Sequence, residues 1–241
     1  MLRRGKFIVL EGIDGSGKRT QLELLSRACA ERGLGISQLA FPNYAGFFGK
    51  LVARYLNGDF GSLAAVDAHL SALLYAGDRY ESKAGIERDL ADGKLVLADR
   101  YIGSNLAHQG ARINKEQRAE FLAWLKELEY SVYRLPEEDL VIYLAVPAKE
   151  AQRLVEQKGA RDYTKLAKDI HEASLGHLEA TAEVYESLAK QKNWMKIDCW
   201  DAGRGALRTP EAIHRDVAAA VEARVLSGTS SGDAAGKPNG I

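Results

Sequence analysis

The sequence predicts an α/β fold in which five parallel strands form a doubly wound sheet flanked by helices. Two observations carry this prediction. Five short apolar runs alternate with segments of helical periodicity, and a glycine-rich turn links the first run to a helix. Strands that alternate with helices in this way form parallel sheets, whose ligands bind beyond the carboxyl ends of the strands. The residues just after each strand are therefore the candidate functional residues.

Each element has its own signal. The apolar runs predict strands at 6–11, 36–41, 94–98, 139–146 and 194–198. Leu22, Leu25 and Cys29 recur at helical spacing and predict a helix over 18–32, which Gly33 ends. A stripe of leucine and valine from Leu63 onward predicts a second, long helix over 63–90.

Composition excludes several classes of protein. The chain has 241 residues, with 33 Lys and Arg against 33 Asp and Glu, so no global field would hold it on nucleic acid or on an anionic membrane. Its two cysteines lie far apart and argue against a disulfide framework, and no apolar stretch has the length of a membrane span. We expect a cytoplasmic protein with a single domain over 1–226 and a disordered tail rich in Gly and Ser over 227–241.

A phosphate-binding loop follows the first strand. The segment 12–18 matches G-x-x-x-x-G-K between a predicted strand and a predicted helix, the context that this motif requires. A structural glycine turn would explain neither the lysine nor the helix, so we interpret the segment as a P-loop of the kinase type. The residues predicted to bind ATP are Gly12, Asp14, Gly15, Ser16, Gly17, Lys18, Arg19 and Thr20.

One position departs from the motif. The residue after the lysine is normally a Ser or Thr that binds Mg²⁺, and here it is Arg19, with Thr20 next. Either phosphates, water and carboxylates such as Asp14 and Asp99 hold the metal, or Thr20 takes over. Arg19 either adds charge near the transferred phosphoryl group or points into solvent.

Two further pairs have chemistry that suits a ligand. Tyr75 and Arg79 share one face of a predicted helix, where a ring and a guanidinium can address one ligand, although by themselves they better suit a surface pair. Asp99 and Arg100 follow a predicted buried strand, where a carboxylate can lie near Mg²⁺ and a guanidinium can bind a phosphate, or where the two can form a strand-end ion pair.

The stretch 149–168 is basic in a neutral chain. It has six basic residues against three acidic ones, with Gly159 in the middle. Such a cluster is usually a solvated face, but here we predict a short basic lid that closes on ATP. Closure would bring Arg153 or Arg161 to the transferred phosphoryl group.

Four segments, in order and spacing, resemble the thymidylate kinase family. The phosphate loop continues as Lys18-Arg19-Thr20-Gln21, and Phe41-Pro42-Asn43-Tyr44 resembles the family's FP-x-Y segment. The segment from Asp99-Arg100-Tyr101 to Ser104-Asn105 resembles its DRY-x-x-S-N segment. The segment 167–172 resembles the end of its lid, and the resemblance covers roughly 6–226.

The resemblance implies a role for each matching residue. Arg100 would hold the phosphate of dTMP with Tyr44 against it, Tyr75 would stack on thymine, Arg79 would bind a base carbonyl, and Asn105 would read the N3 edge. The residues that the resemblance places around dTMP are Asp14, Phe41, Tyr44, Tyr75, Arg79, Arg100, Ser104, Asn105, His108 and His171.

The resemblance also implies a cofactor, a set of catalytic charges and an assembly. Mg²⁺ would lie near Asp14, Asp99 and Glu172. His108 stands where many members have Tyr, at the position that discriminates against a 2′-hydroxyl. Helices of the chain would form a homodimer interface. The residues expected to neutralise charge on the moving phosphoryl group are Lys18, Arg19, Arg100, Arg153 and Arg161.

The implied reaction transfers the γ-phosphoryl group of ATP to dTMP, giving dTDP and ADP, for dTTP biosynthesis. Two alternatives stay open: another P-loop kinase that acts on a different nucleotide or on a nucleoside, and a P-loop ATPase switch. Arg100 is expected for an acceptor that already carries a phosphate. The guanine-reading N-K-x-D pattern is absent from the sequence, which weighs against a GTPase.

Overall fold

A computed structural model of the chain describes residues 4–157 and 175–226. Its main sheet has five strands in the order β2-β3-β1-β4-β5, and every neighbouring pair is parallel. The strands are β1 (Lys6–Glu11), β2 (Ile36–Ala40), β3 (Leu95–Asp99), β4 (Leu140–Ala145) and β5 (Trp194–Asp198). The predicted fold class and all five predicted strands are confirmed, with end shifts of one residue at most.

The sheet order explains why the strands are so apolar. The chain places β2 and β3 on one side of β1 and then crosses to the other side for β4 and β5. Nearly every residue of β1, β3 and β4 is buried, as expected for central strands that are covered on both faces. This crossing at β1 creates the crevice in which such sheets bind ligands.

Helices cover the sheet on both sides. They are α1 (Lys18–Glu31), α2 (Phe47–Leu56), α3 (Ala68–Ala91), α4 (Ile102–Gly110), α5 (Lys115–Lys126), α6 (Ala148–Gln157), α7 (Leu175–Leu188) and α8 (Pro210–Val221). Helix α1 packs against α8, whereas α4 packs against α3, α5 and α7. The apolar stripe of α5 lies on the core, as its spacing suggests: Phe121 and Leu125 are buried, and Leu122 and Trp124 are partly buried against them.

The predicted start of the long helix is wrong. Helix α3 begins at Ala68, because Asp67 caps it by accepting hydrogen bonds from the backbone N–H groups of His69 and Leu70. Leu63 and Val66 lie before the helix and pack against a small apolar cluster around Tyr55. Their helical spacing therefore reflects this local cluster and not a continuous helix.

Several elements had no sequence prediction. Helix α2 is a short amphipathic helix that packs against α3. A π-helical segment, Glu127–Val132, extends α5, and a second one, Glu222–Leu226, extends α8. A small antiparallel hairpin joins β6 (Trp200–Asp201) to β7 (Ala206–Leu207).

Two predictions lie wholly or largely outside the described residues. The tail 227–241 is one, and the lid 149–168 is described only as far as the end of α6. Within residues 4–157 and 175–226, no helix is both long and apolar enough to cross a membrane.

Candidate active site

A cleft of about 1100 Å³ opens at the carboxyl edge of the sheet, beyond β1, β2 and β3. It brings together residues from the phosphate loop, the end of β2, helix α3 and helix α4, which are remote in sequence. The predicted site residues that line it are Asp14, Gly15, Gly17, Lys18, Arg19, Phe41, Tyr44, Tyr75, Arg79, Asp99, Arg100, Ser104, Asn105 and His108. Gly12, Ser16 and Thr20 belong to the same loop and helix but do not line the cleft.

The phosphate loop depends on glycine for its conformation. Gly15 has φ of 83°, and a Cβ atom there would lie 2.3 Å from the backbone oxygen of Ala151. Gly12 has φ of 148°, and its Cβ would lie 2.8 Å from the backbone oxygen of Leu144. Only glycine tolerates both the conformation and the close approach. The loop thus packs closely against the end of β4 and against α6. It leads directly into the N-terminus of α1, and helix N-termini favour anions.

Lys18 is a buried cation. Its Nζ donates to the backbone oxygens of Gly12 and Ile13, each at 2.9 Å, and to Oγ of Ser16 at 3.4 Å. Burial, with the nearby charge of Arg100, lowers the pKa of Lys18 to about 8. An anionic ligand would therefore both bind to this lysine and stabilise its protonated form.

A buried carboxylate, Glu11, organises the end of β3. It is fully buried and accepts hydrogen bonds from the N–H groups of Tyr101 and Ser104, from Oγ of Ser104 and from the hydroxyl of Tyr185. These contacts cap α4 at its N-terminus and fix the turn that carries Arg100. Arg100 has φ of 70°, a conformation rare for residues other than glycine that structures retain mainly at functional sites.

Arg100 extends into the cleft between the phosphate loop and α4. Its Nη2 donates to Oδ1 of Asp14 at 2.7 Å, and its Nη1 donates to Oγ of Ser104 at 3.0 Å and to the Gly12 oxygen at 3.3 Å. His108 Nε2 lies 3.3 Å from the same Nη1. Burial opposes the charge of Arg100, but Asp14 and other acidic groups nearby hold its pKa well above the usual arginine value. Lys18 and Arg100 are therefore fixed cations at the phosphate-loop end of the cleft.

Arg79 and Asn105 meet at one buried carboxylate, Glu129. Arg79 is 2% exposed, and its Nε and Nη2 donate to the two oxygens of Glu129 at 2.5 and 2.6 Å. Asn105 Nδ2 donates to the same carboxylate at 2.9 Å and to the Ala72 oxygen at 3.0 Å. Glu129 offsets the cost of burying Arg79 and raises its pKa.

The remaining predicted acceptor-site residues surround these groups. Tyr75 is half-buried on α3, with its ring edge-on to Tyr55. Phe41 is buried against the ring of Tyr101, and Tyr44 is half-buried after β2. The ring of His108 lies 5.8 Å from that of His177, whose pKa burial lowers to about 4.

Arg19 and Thr20 point away from the centre of the loop. The Arg19 side chain is 85% exposed and pairs with Glu23 one turn further along α1, at 3.1 Å. Thr20 is exposed. Of the two interpretations of Arg19, this structure favours the solvated one, although the residue lies at the rim of the cleft.

Carboxylates suited to a magnesium ion lie beside Lys18. Asp99 Oδ1 is buried and, within the described parts of the chain, has no hydrogen-bond partner. Asp14 lies close enough for both carboxylates to influence the charge of Lys18. No group of three potential ligand side chains is preformed among the described residues, so these two carboxylates would need phosphate and water to complete a shell.

Unpartnered polar atoms concentrate in the cleft. Six buried side-chain atoms have no hydrogen-bond partner among the described residues, and four of them belong to residues that line the cleft: Asp99, Tyr101, Asn105 and Gln109. Buried polar groups are almost always paired, so these four mark a place where a polar ligand belongs.

Three predicted residues lie outside the described residues: Arg161, His171 and Glu172. Arg153 is described on α6. It is exposed and pairs with Glu150 at 3.0 Å. It does not line the cleft as the structure stands.

Sequence reasoning missed three residues of the site. Glu11 ends an apolar strand as an isolated charge, which was a usable signal. Gln109 lies one turn beyond Asn105 on α4, and that spacing could have suggested it. Glu129 carried no signal, because nothing local distinguishes it from the exposed Glu127 two residues earlier.

Comparison with known proteins points to one family. Residues 10–202 match the family model described as thymidylate kinase. The thymidylate kinase of Mycobacterium tuberculosis is 34% identical over 185 residues, which are 76% of this chain and 86% of the relative. The thymidylate kinase of Homo sapiens is 30% identical over 240 residues, 99% of this chain and 97% of the relative.

A solved structure shares the fold. The structure of thymidylate kinase from Candida albicans has a TM-score of 0.71, with 22% sequence identity, and covers 91% of this chain and 92% of its own. At that identity the likeness concerns the fold alone.

Proposed function

The chain belongs to the thymidylate kinase family, and from this premise we propose that ATP and dTMP meet end to end in the cleft, over Lys18 and Arg100. The enzyme is a kinase that transfers the γ-phosphoryl group of ATP to dTMP, giving dTDP and ADP. The observation that carries the assignment of the site is that one cleft holds the cations Lys18 and Arg100 and four buried polar atoms that have no partner among the described residues.

The phosphate loop and Arg100 are proposed to bind different nucleotides. We assign the ATP phosphates to the loop and to Lys18, whose ammonium already lies among the loop carbonyls. We assign the phosphate of dTMP to Arg100, which the contacts with Asp14 and Ser104 hold in place. A guanidinium binds a phosphate in a bidentate fashion, so Arg100 can both bind the acceptor and fix its direction.

The chemistry needs position and charge more than it needs a base. A phosphate monoester has its second pKa near 6, so the attacking oxygen is mostly ionised at pH 7. Lys18 and Arg100 would hold two anions in line and neutralise charge on the moving phosphoryl group. Lid arginines commonly complete this neutralisation in phosphoryl transfer, and Arg153 and Arg161 in the proposed lid 149–168 are the candidates.

Tyr75, Arg79 and Asn105 are proposed to bind the base. Asn105 Oδ1 is a buried acceptor without a partner among the described residues and suits the N3–H of thymine, and Arg79 is a donor that suits a carbonyl. Tyr75 would stack on the ring with Phe41 beside it, and Tyr44 would lie against the phosphate of dTMP. His108, and His171 of the undescribed segment, would lie toward the sugar.

Mg²⁺ is the proposed cofactor. It would supply positive charge that stabilises the ATP phosphates during transfer. Asp99, whose Oδ1 has no partner among the described residues, and Asp14 fit this ion as partial ligands, and Glu172 is a further proposed ligand. Arg19 is proposed to remain near the rim, where its charge can still influence the phosphates.

The proposed assembly is a homodimer, and the proposed location is the cytoplasm. Large apolar side chains are exposed on and beside α3: Phe47, Leu70, Tyr80 and Val132. A second copy of the chain would cover them. Both cysteines are free and buried, which suits a reducing compartment. We also propose that 1–226 is the catalytic domain and that the tail 227–241 is not needed for catalysis.

The test is ADP release with ATP and Mg²⁺ across dTMP, dUMP, dCMP, dGMP, AMP and thymidine, with a control lacking an acceptor. We expect release with dTMP far above thymidine and above the control. ADP release in the control alone would overturn the proposed acceptor site.

Lys18→Ala should lower the dTMP-dependent turnover by at least about a hundredfold, because it removes the positive charge that stabilises the transferred phosphoryl group. Lys50→Ala, at an exposed position on α2, is the matched control and should retain normal turnover. Near-normal turnover of the Lys18 variant would contradict the assignment.

A further inference from the structure

We propose that Glu129 is a positioning residue for base selection: its buried carboxylate fixes Asn105 and Arg79 so that the cleft accepts thymine and rejects cytosine. This inference rests on the proposed roles of Asn105 and Arg79. Glu129 would not touch the reacting atoms, and its effect would pass through the two side chains that it holds.

Glu129 holds both base-reading side chains at once. It lies in the π-helical segment Glu127–Val132 and is fully buried. Three N–H groups share its two oxygens: Nε of Arg79 on Oε2, and Nη2 of Arg79 with Nδ2 of Asn105 on Oε1. Each of these contacts is 2.9 Å or shorter.

These contacts decide which way the Asn105 amide points. An amide can rotate by half a turn and exchange its oxygen for its NH₂ group. Here Nδ2 faces two acceptors, the Ala72 oxygen and the Glu129 carboxylate, so an oxygen in that place would be repelled twice. Oδ1 is left buried and, among the described residues, without a donor. The site therefore presents an acceptor, and not a donor, at Asn105.

That orientation matches one pyrimidine and not the other. Thymine offers a donor at N3–H and an acceptor at O4, whereas cytosine offers an acceptor at N3 and a donor at its 4-amino group. Asn105 Oδ1 and the guanidinium of Arg79, which can only donate, complement thymine at both places. Cytosine would leave an acceptor facing an acceptor and a donor facing a donor, and buried mismatches of this kind give strong discrimination.

Position 129 requires a carboxylate because three N–H groups, two from Arg79 and one from Asn105, donate to it. Glutamine has one oxygen and one NH₂ group, so at least one of the three N–H groups would face another donor. Arg79 cannot become an acceptor. Either orientation of a glutamine amide sets its NH₂ group against Arg79 alone or against both Arg79 and Asn105, so the two side chains lose their fixed arrangement.

The experiment compares dTMP with dCMP in the Glu129→Gln enzyme. We expect the ratio of kcat/KM for dTMP to that for dCMP to fall by about tenfold or more, mainly through a higher KM for dTMP. The kcat at saturating dTMP should change little, because the hydrogen bonds of Glu129 among the described residues go to Arg79 and Asn105 and not to Lys18 or Arg100. A merely structural role would lower the active fraction for both acceptors alike and leave the ratio unchanged.

Glu138→Gln is the matched control. Glu138 is another buried carboxylate close in sequence, but its side chain accepts a hydrogen bond from the hydroxyl of Tyr130 and touches neither Arg79 nor Asn105. Its substitution should leave the ratio at the wild-type value.

Asn105→Ala separates this inference from the proposed site. If the parent enzyme shows no preference for dTMP, or if Asn105→Ala retains the full preference, the assignment of the base site is wrong and the inference falls with it. If Asn105→Ala loses the preference and a folded Glu129→Gln enzyme retains it, only the inference is overturned. Should Glu129→Gln not fold, Glu129→Asp takes its place. That side chain is one methylene shorter, so the ratio should fall below the parent value, and an unchanged ratio would overturn the inference.

Discussion

At the scale of single residues, Lys18 shows how burial prepares a side chain for its ligand. The ammonium is enclosed by backbone oxygens of the phosphate loop, and burial brings its pKa down to about 8 from a usual value near 10.5. A bound polyphosphate stabilises the charged form, so the lysine should take up a proton more strongly in the complex than in the free protein.

This coupling predicts the pH dependence of nucleotide binding. Below pH 8 the free lysine is already protonated and the affinity for ADP with Mg²⁺ should be constant. Above pH 8 binding must recruit a proton, so the dissociation constant should rise, by up to about tenfold per pH unit. Titration calorimetry from pH 7 to 9.5 measures it, with Lys18→Met as the control. A wild-type profile that is as flat as that of the variant would contradict the prediction.

Residue identity alone did not reveal what each side chain does. The motifs located Arg79 and Asn105, but the contacts that orient them come from Glu129, which is fully buried although its immediate neighbour Tyr130 is only half-buried. A buried charge within a helical segment has no local signature. It becomes recognisable only when its partners, 50 and 24 residues away, are placed beside it.

At the scale of elements, a side-chain cap by Asp67 determines where the long helix α3 begins. Asp67 accepts from two N–H groups of the first turn, and these contacts lower its pKa. Asp67→Ala should lower the free energy of unfolding by about 1 kcal/mol at pH 7, as measured by urea denaturation. Because the folded-state pKa is the lower one, the contribution is present above the unfolded-state pKa and is lost as the pH falls through the folded value. Asp67→Asn keeps the acceptor oxygen and should retain most of the stability, and an equal loss in both variants would argue against capping.

The free energy of unfolding should depend on pH through Glu138, a buried residue that contacts the π-helical segment after α5. Tyr130 in this segment donates to Glu138, and burial raises the pKa of Glu138 to about 7. Between its ordinary value of 4.5 and about 7 the folded state holds more protons than the unfolded state, so stability falls as the pH rises through this window.

Glu138→Gln removes this titration. Relative to wild type, the variant should gain roughly 1 to 3 kcal/mol in free energy of unfolding between pH 5 and pH 8. Chemical denaturation at the two pH values measures this difference. Glu127→Gln, at an exposed position of the same segment, should give no such change. A Glu138 variant whose stability follows that of wild type at both pH values would rule out the buried titration.

At the scale of the whole molecule, the apolar face around the middle of α3 predicts self-association. Phe48 packs over Gly77 of α3, Phe47 contacts Phe48, and Tyr80 contacts Tyr133, so these side chains form one neighbourhood. Phe47 and Tyr80 are 65% and 53% exposed in a single chain, which a second copy would cover.

Sedimentation velocity tests the proposed dimer. Wild type should sediment as a dimer at micromolar concentration, and Tyr80→Glu should shift the protein toward the monomer, because the variant buries an unpaired charge in the interface. Ala219→Glu adds the same charge on α8, which packs against α1, and should leave the dimer intact. A wild-type monomer would contradict the proposal, and so would a Tyr80→Glu dimer.

The sequence by itself determined the succession of the five strands of the main sheet along the chain, the phosphate loop and the family. These features are written in contiguous residues: apolar runs mark β1, β3 and β4, and the loop motif lies between β1 and α1. The FP-x-Y and DRY-x-x-S-N segments are also contiguous, and they follow β2 and β3. Because the carboxyl ends of parallel strands share one edge, both segments were expected at the ligand-binding edge of the sheet.

Only the tertiary structure decided where α3 begins, how α2 and the hairpin form, and which group orients Arg79 and Asn105. Leu63 and Val66 have the periodicity of a helix, yet their backbone oxygens accept hydrogen bonds from Arg112. In the sequence, Arg112 follows both α3 and α4. The amide of Asn105 has two orientations of equal intrinsic energy, and contacts with Ala72 and Glu129 select one. Local patterns specify local structure, whereas these features depend on partners that only folding brings within hydrogen-bonding distance.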